Sequence, residues 1–511
     1  MISSQRDTLC EAMDNGAVVI TPNQRLCLDV IHERILRSDQ ACIEKPLCFS
    51  YDGFLRELFQ RLTHQQPHLD HPVLLSQDQI QHLFQAIIKT SRHGVCNEGL
   101  LEAVLQAWTF CKAWEIDLSH PSFDERPQTY QFKLWSQTFE QTLKHLNAIT
   151  ADHLVDYLSH HTLEPIDTLL WYCFDAYSPS QKKLQDVFYK NKTTLIHDDL
   201  PHQERLCYQH QAEDEHQEYE ALMLWIKKKI SEGKTKVGVV LPDLIQKKAK
   251  IQRHFTSHFT EDEFNISMGQ SLADYPLMAH ALQWITLDKT IITQHQATLL
   301  LHSPYLAYAE QEHLLRTEFF QQSPLFQEKE ITYDALITAL TPQTPLLAKT
   351  LGSITLFPEQ ASPHTWRQVF KERLLHLGFP GELTLSSLNY QCIQRINTLF
   401  DDFGALSIIT PSLTQHEALH ALKHLAQQTI FQPEKKNAPI QLLGLLEASG
   451  CTFDCLWVMG MTDQCLPQKA RLSAFIPIEL QRQYDMPHAT PERELRLASQ
   501  LIQRLQLASD E

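Results

Sequence analysis

The sequence predicts an α/β protein with two parallel-sheet domains, each interrupted by a large, mainly helical insertion. Three observations predict it. Between Gln441 and Pro467, QLLGLLE and DCLWVMGM are apolar runs split by ASG and closed by the turn residues TDQCLP. Continuous apolar strands without alternation belong to sheets buried on both faces. Comparable runs stand at GAVVITPN, TLLWYCFD and KVGVVLPD. Between them lie two long stretches, 75–165 and 270–437, in which helical patterns dominate.

Length and composition bound the function classes. A chain of 511 residues has room for three or four domains with real cores. No apolar run reaches membrane-spanning length, and Met1 to Asn15 is too polar for a signal peptide. The 12 cysteines are scattered without a paired framework, so reduced thiols in a cytoplasmic protein are expected. The nearest metal spacing is Cys451, Cys455 and Cys465, but Cys455 opens an apolar strand and no metal site is expected. A net charge of −17 weighs against nucleic acid, whose phosphates are met by Lys and Arg, although an acidic whole can carry a local basic groove.

Taken in order, the chain opens with a polar helix, a strand ending in a turn at GAVVITPN, and the amphipathic helix QRLCLDVIHERIL. By themselves Thr21, Asn23 and Arg25 form a helix-capping turn. VVITPNQR also resembles a motif of superfamily 1 helicases in which a strand end and the next helix touch DNA, which implies phosphate contacts by the hydroxyl of Thr21, the amide of Asn23 and the guanidinium of Arg25. PLCFSYD follows as a strand, with a helix from Gly53 and Ser50 or Asp52 as its N-cap. Residues 75–165 read as helical throughout, and the spacing of Trp108, Phe110, Trp114, Phe132, Trp135 and Phe139 points to core packing rather than base stacking. TLLWYCFD delivers Asp175 at the C-terminal end of a buried strand, where ligands of α/β sheets collect. The phrase from Phe174 to Gln181 resembles a turn of AddB-like DNA repair proteins, which implies that Gln181, Lys182 and Lys183 face nucleic acid; by themselves they form a solvated helix start.

The tripeptide Gly233-Lys234-Thr235 invites a phosphate-loop reading. The motif needs glycine where this chain has Lys228, and it needs strand, loop, helix where this chain has helix, loop, strand. It is an αβ loop with Gly233 at the helix end. The cluster Glu213, Asp214 and Glu215 caps the start of that helix rather than holding a metal. At the C-terminal end, Glu447 and Thr462 to Gln464 fall at strand ends, in ligand position or in a ligand-free core hairpin. No repeat of 20 to 50 residues is present.

Several phrases resemble a known family. Ser449, Gly450, Cys451, Thr452, Phe453 and Asp454, followed by LWVMG and Pro467, keep the skeleton of a late motif of superfamily 1 helicases of the UvrD/RecB type. The Lys before the Gly and the Glu before the Phe of that motif are replaced by Ser449 and Thr452. The continuation FIPIELQRQYDMPHATPERELRLASQLIQRL is similar to AddB-like DNA repair proteins, as are SMGQSLADYPLMAHALQWI and WRQVFKERLLHLGFPGE.

The resemblance implies two RecA-like domains, degenerate relatives of phosphate-loop NTPases. The first comprises 1–75 and 165–200, with 75–165 as its insertion. The second comprises 200–270 and 438–511, with 270–437 as its insertion. It further implies that Asp175, Glu447, Gly450, Phe453, Asp454 and Arg496 are remnants of helicase motifs. A motor would carry Asp-Glu where this chain has Asp175-Ala176, and the phosphate-loop lysine is missing. Arg493, Arg496 and Arg504 then read as a solvated helix face. AddB-like chains continue into a PD-(D/E)xK nuclease; Pro242-Asp243 has no Glu-x-Lys behind it, and Glu328-Lys329 lacks the spacer.

The expected function is a non-hydrolysing helicase-like part of a DNA repair and recombination helicase–nuclease. It would guide single-stranded or end DNA toward a nuclease domain that this chain lacks, with no catalytic residues, metal, ATP or magnesium of its own. Two alternatives stand beside it. One is a scaffold docking a partner helicase subunit with little DNA contact, and the other is a divergent ATPase. No membrane partner is expected.

Overall fold

The computed structural model describes residues 2–37, 46–91, 94–197, 207–260, 262–287, 289–382, 384–433 and 438–509. The expected boundaries near 200 and 437 fall outside these residues. The chain forms two compact units, one of Met1–Met268 with Lys435–Glu511 and the other of Gly269–Glu434.

The first unit is α/β and holds two wholly parallel four-stranded sheets. One runs in the order Cys48–Ser50, Val18–Thr21, Thr168–Trp171, Thr194–His197, with Val19 opposite Cys48 and Leu170. The other runs Cys455–Val458, Val237–Val240, Ile440–Leu443, Phe264–Ile266, with Val237 opposite Cys455 and Ile440. Side chains alternate between faces along a strand, so an unbroken apolar run needs cover on both sides. Val18, Ile20, Leu169 and Trp171 enter a core with the helices Tyr51–Gln65 and Pro179–Lys190. Val239, Ile440 and Leu442 enter another with Glu215–Ser231 and Leu244–Thr256.

The remaining faces meet each other. Val19 and Leu170 of the first sheet share one apolar core with Val240 and Leu443 of the second, with Leu26, Cys27 and Val30 of the helix Gln24–Leu36 among them. Gly238 makes room for it: a Cβ there would lie 2.6 Å from Leu456 and 2.8 Å from Phe453.

Between the second and third strands of the first sheet, the helices Gln77–Thr90, Glu98–Ala113 and Pro127–His145 pack around Phe84, Trp108 and Phe139, with the Phe84 and Phe139 rings stacked at 4.1 Å. Residues 75–165 are not helical throughout. Ala148–Ile149 pairs in parallel with Val73–Leu74, two-residue strands too short to leave a periodic signal. A second correction concerns QLLGLLE. The strand stops at Leu443, and Leu445–Ala448 is a helical turn, because the Glu447 carboxylate folds back to accept the Gly444 N–H at 3.2 Å.

The second unit is mainly helical. Pro276–Ile285, Pro363–His376, Ser387–Ala405 and Gln415–Gln428 enclose Trp284, Trp366, Phe370 and Phe403. Short antiparallel pairs such as Ile291–Thr293 with Glu330–Thr332 tie its loops. Among the described residues, no helix is long and apolar enough to cross a membrane.

Candidate functional site at the joint of the two sheets

In the first sheet the crossovers from Val18–Thr21 and from Thr168–Trp171 leave in opposite directions, which makes the carboxyl ends of these neighbours a topological switch point, the usual ligand crevice of such sheets. Here the crevice is occupied by the protein. Gly450 holds φ +84°, and a Cβ on it would lie 2.6 Å from Cys173 Sγ and 3.1 Å from Leu26 Cδ2. The short turn of the second sheet therefore seats backbone directly on the strand ends of the first.

Polar residues surround this contact in pairs. Arg504, 4% exposed on the helix Pro491–Leu507, donates from Nε to Asp175 Oδ1 at 2.8 Å and from Nη2 to the Phe174 carbonyl at 3.3 Å. Arg25 Nη2 donates to Gln441 Oε1 at 2.9 Å. Lys236 Nζ lies 2.6 Å from Asp29 and 5.5 Å from the centre of the Phe453 ring. Asp454 Oδ2 accepts the Thr235 and Lys236 N–H groups at 2.7 and 3.0 Å and the Thr235 hydroxyl at 3.1 Å. Burial works to raise the Asp454 carboxyl, but these donors outweigh it and hold it below its ordinary range.

These geometries assign the sequence-derived candidates. Thr21 is fully buried, and its hydroxyl donates to the Asn23 and Phe49 carbonyls, so it has no proton left for a phosphate. Asn23 is the N-cap of Gln24–Leu36, accepting the Leu26 N–H at 2.8 Å. Of the two readings of this turn, the capping one describes its bonds. Gln181 closes a capping box with Ser178, and Lys183 pairs with Asp156 and with Glu115. Lys182 is exposed. Arg496 lies on the solvent face, 2.7 Å from Asp485.

Arg504 overturns the expectation of a solvated face for the last helix. It points inward because it sits on the same side of the helix as buried Leu501 and Leu505. Sequence reasoning also missed Lys236 and Gln441 as partners. The one available signal for Lys236 was a lysine flanking a buried strand. Among the described residues, no group of three or more His, Cys, Asp or Glu is arranged to hold a metal ion.

A second concavity lies elsewhere in this unit, between the helices Gln77–Thr90 and Pro127–His145 and Phe475. Its volume is about 970 Å³, and its walls, including Tyr130, Gln131, Leu134, Trp135 and Gln141, carry no charged side chain. Such a lining suits neutral groups and offers a phosphate no counter-charge.

No known family model and no curated protein matches the chain. Fold and site together define an α/β protein in which two parallel sheets share one apolar core, with polar side chains paired between the helices, strands and loops around it.

Proposed function

We propose that this chain is a non-hydrolysing, helicase-like body of the AddB/RecB kind, with two degenerate RecA-like domains, and that it holds or guides single-stranded DNA for a nuclease domain. The direct pairing of Arg504 with Asp175 carries the reading. In a motor helicase a strand-end carboxylate positions magnesium, and an arginine from the second domain reaches the γ-phosphate. In this chain the two groups at corresponding places neutralise each other across the joint. The turn Thr21-Pro22-Asn23 before the capped helix carries neither the glycine nor the lysine that a phosphate loop uses to hold triphosphate.

The second reading, a scaffold that docks a partner helicase subunit, is favoured by the net charge of −17 and by the internal bonding of Thr21, Asn23, Arg25 and Lys183. Binding of a fluorescent single-stranded oligonucleotide across a salt series, with and without ATP and magnesium, separates the readings. Micromolar or tighter binding that weakens steeply with salt and ignores ATP is expected. No binding at low salt would leave the scaffold, and ATP-dependent binding would restore a motor.

A further inference from the structure

We infer that the outer face shared by the helices Glu215–Ser231 and Leu244–Thr256 is a surface for the phosphate backbone of single-stranded nucleic acid. The inference rests on the DNA-guiding reading and names the place where the strand lies.

Basic side chains from both helices form one continuous band. Lys227 Nζ lies 3.4 Å from His258 Nδ1, and the His254 ring stacks on Tyr219 at 4.6 Å with His216 beside it at 6.5 Å. Lys250 sits 5.4 Å above the same Tyr219 ring, Lys247 lies 3.2 Å from Glu215, and Arg253 is exposed next to His254. Four permanent cations and three histidines thus share a band in which two carboxylates are paired: Glu215 with Lys247 and Lys250, and Glu220 with His216 at 3.8 Å. In a chain of net charge −17 this is a local reversal of sign, and at physiological salt the field is felt within about 8 Å. The positive environment is visible in His254, which burial, then Lys250, His216, His258 and Arg253, hold below its ordinary range.

The chemistry selects phosphates over bases. Tyr219 and Phe259, the rings under the lysines, are 1% and 8% exposed and offer no stacking platform. Contacts limited to Lys, Arg and His reach backbone charge and carry no sequence information. Thr21, Asn23, Arg25 and Lys183 are engaged in internal bonds, whereas Lys227 and Arg253 of this band are exposed.

The test uses the full chain and fluorescein-labelled dT20, followed by anisotropy between about 50 and 200 mM salt. Neutralising three cations of the band together (Lys227→Gln, Lys247→Gln, Arg253→Gln) is expected to weaken binding at least tenfold. It should also flatten the salt slope by about two, at roughly 0.7 per phosphate on a single strand. Lys144→Gln, exposed on the helix Pro127–His145, is expected to leave both unchanged. Circular dichroism melting of each variant checks that the fold persists. Wild-type binding that the triple variant retains would overturn the inference while sparing the DNA reading, and so would loss confined to Lys144→Gln. Polyglutamate of equal charge competing as well as dT20 would mark a surface for acidic polypeptide instead. No binding by the wild type would remove both.

Discussion

Arg504 Nε stands 2.8 Å from Asp175 Oδ1, joining the last helix to the loop that follows the strand Thr168–Trp171 across 329 residues of sequence. Arg504 is 4% exposed and Asp175 is 20% exposed. Removing one partner of such a pair leaves a charge with no counter-ion in a low-dielectric setting. Arg504→Ala is therefore expected to cost about 2–4 kcal/mol in urea unfolding. The paired change Asp175→Leu with Arg504→Met should recover most of it, since apolar replacement of a buried pair is often neutral. Equal losses in the single and double variants would show that the cost does not come from a charge left without its counter-ion.

Gly450 is where backbone from the second sheet meets the first, at φ +84° and with Cys173 Sγ 2.6 Å from the position of a Cβ. Alanine there adds a left-handed penalty of about 1–2 kcal/mol to overpacking of about 1–3 kcal/mol. Gly460, at φ +67° with nothing within 4 Å, provides the comparison, since alanine there meets only the backbone term. Thermal melts should place Gly450→Ala clearly below Gly460→Ala. Coincident melts would mean that the joint relaxes to admit the methyl group.

Glu140 provides a pH signature. Burial works to raise its carboxyl, but His153 Nε2 at 3.2 Å and the Lys112 ammonium outweigh it and bring it from 4.5 to about 2. A carboxyl depressed in the folded state stabilises fully above its unfolded value and loses that contribution as pH falls toward its folded value. The stability gap between wild type and Glu140→Gln should be about 2 kcal/mol at pH 7 after allowance for solvent screening. It should shrink steadily below pH 4.5. Denaturant midpoints at pH 6, 4 and 3 measure it, and a gap that stays constant would contradict the pairing.

In the helical unit, Glu312 plays two parts. Its carboxylate holds Arg316 at 3.1 Å, both nearly fully buried, and accepts the Leu346 and Leu347 N–H groups at 2.8 and 3.0 Å. It thereby caps the helix Pro345–Gly352, whose own N-cap Thr344 makes no capping bond and instead donates its hydroxyl to the Leu340 carbonyl. Glu312→Ala is expected to cost about 3–5 kcal/mol. Unlike the Asp175–Arg504 case, the apolar pair Glu312→Leu with Arg316→Met should remain destabilised by about 2 kcal/mol, because the buried Leu347 N–H and the half-buried Leu346 N–H lose their acceptor. Unfolding followed through the buried Trp284 and Trp366 reports on this unit.

The strands were legible because their signal is local. Val18, Val19 and Ile20, and Val237, Val239 and Val240, are β-branched runs that need cover on both faces, and they sit in parallel sheets that have it. The turn after Leu443 was illegible for the opposite reason: GLLEA is apolar enough for strand or helix, and the bond from Gly444 N–H to Glu447 settles it. Of the candidate polar residues, those with partners three positions away could be read from spacing, as with Asn23 over Leu26 and Ser178 with Gln181. Those with distant partners could not.

By itself the sequence determined the long helices, the β-branched strands, caps such as Asn23 and the absence of a phosphate-loop pattern at Gly233-Lys234-Thr235, because each depends on residues within one turn or one strand. Only the tertiary structure decided the fate of the charges. Asp29 and Lys236 are 207 residues apart, and Arg25 and Gln441 are 416 apart. Whether such a side chain meets solvent, phosphate or another residue depends on which surfaces the two sheets bury against each other. Desolvation then makes an internal partner nearly obligatory for each charge that the joint encloses.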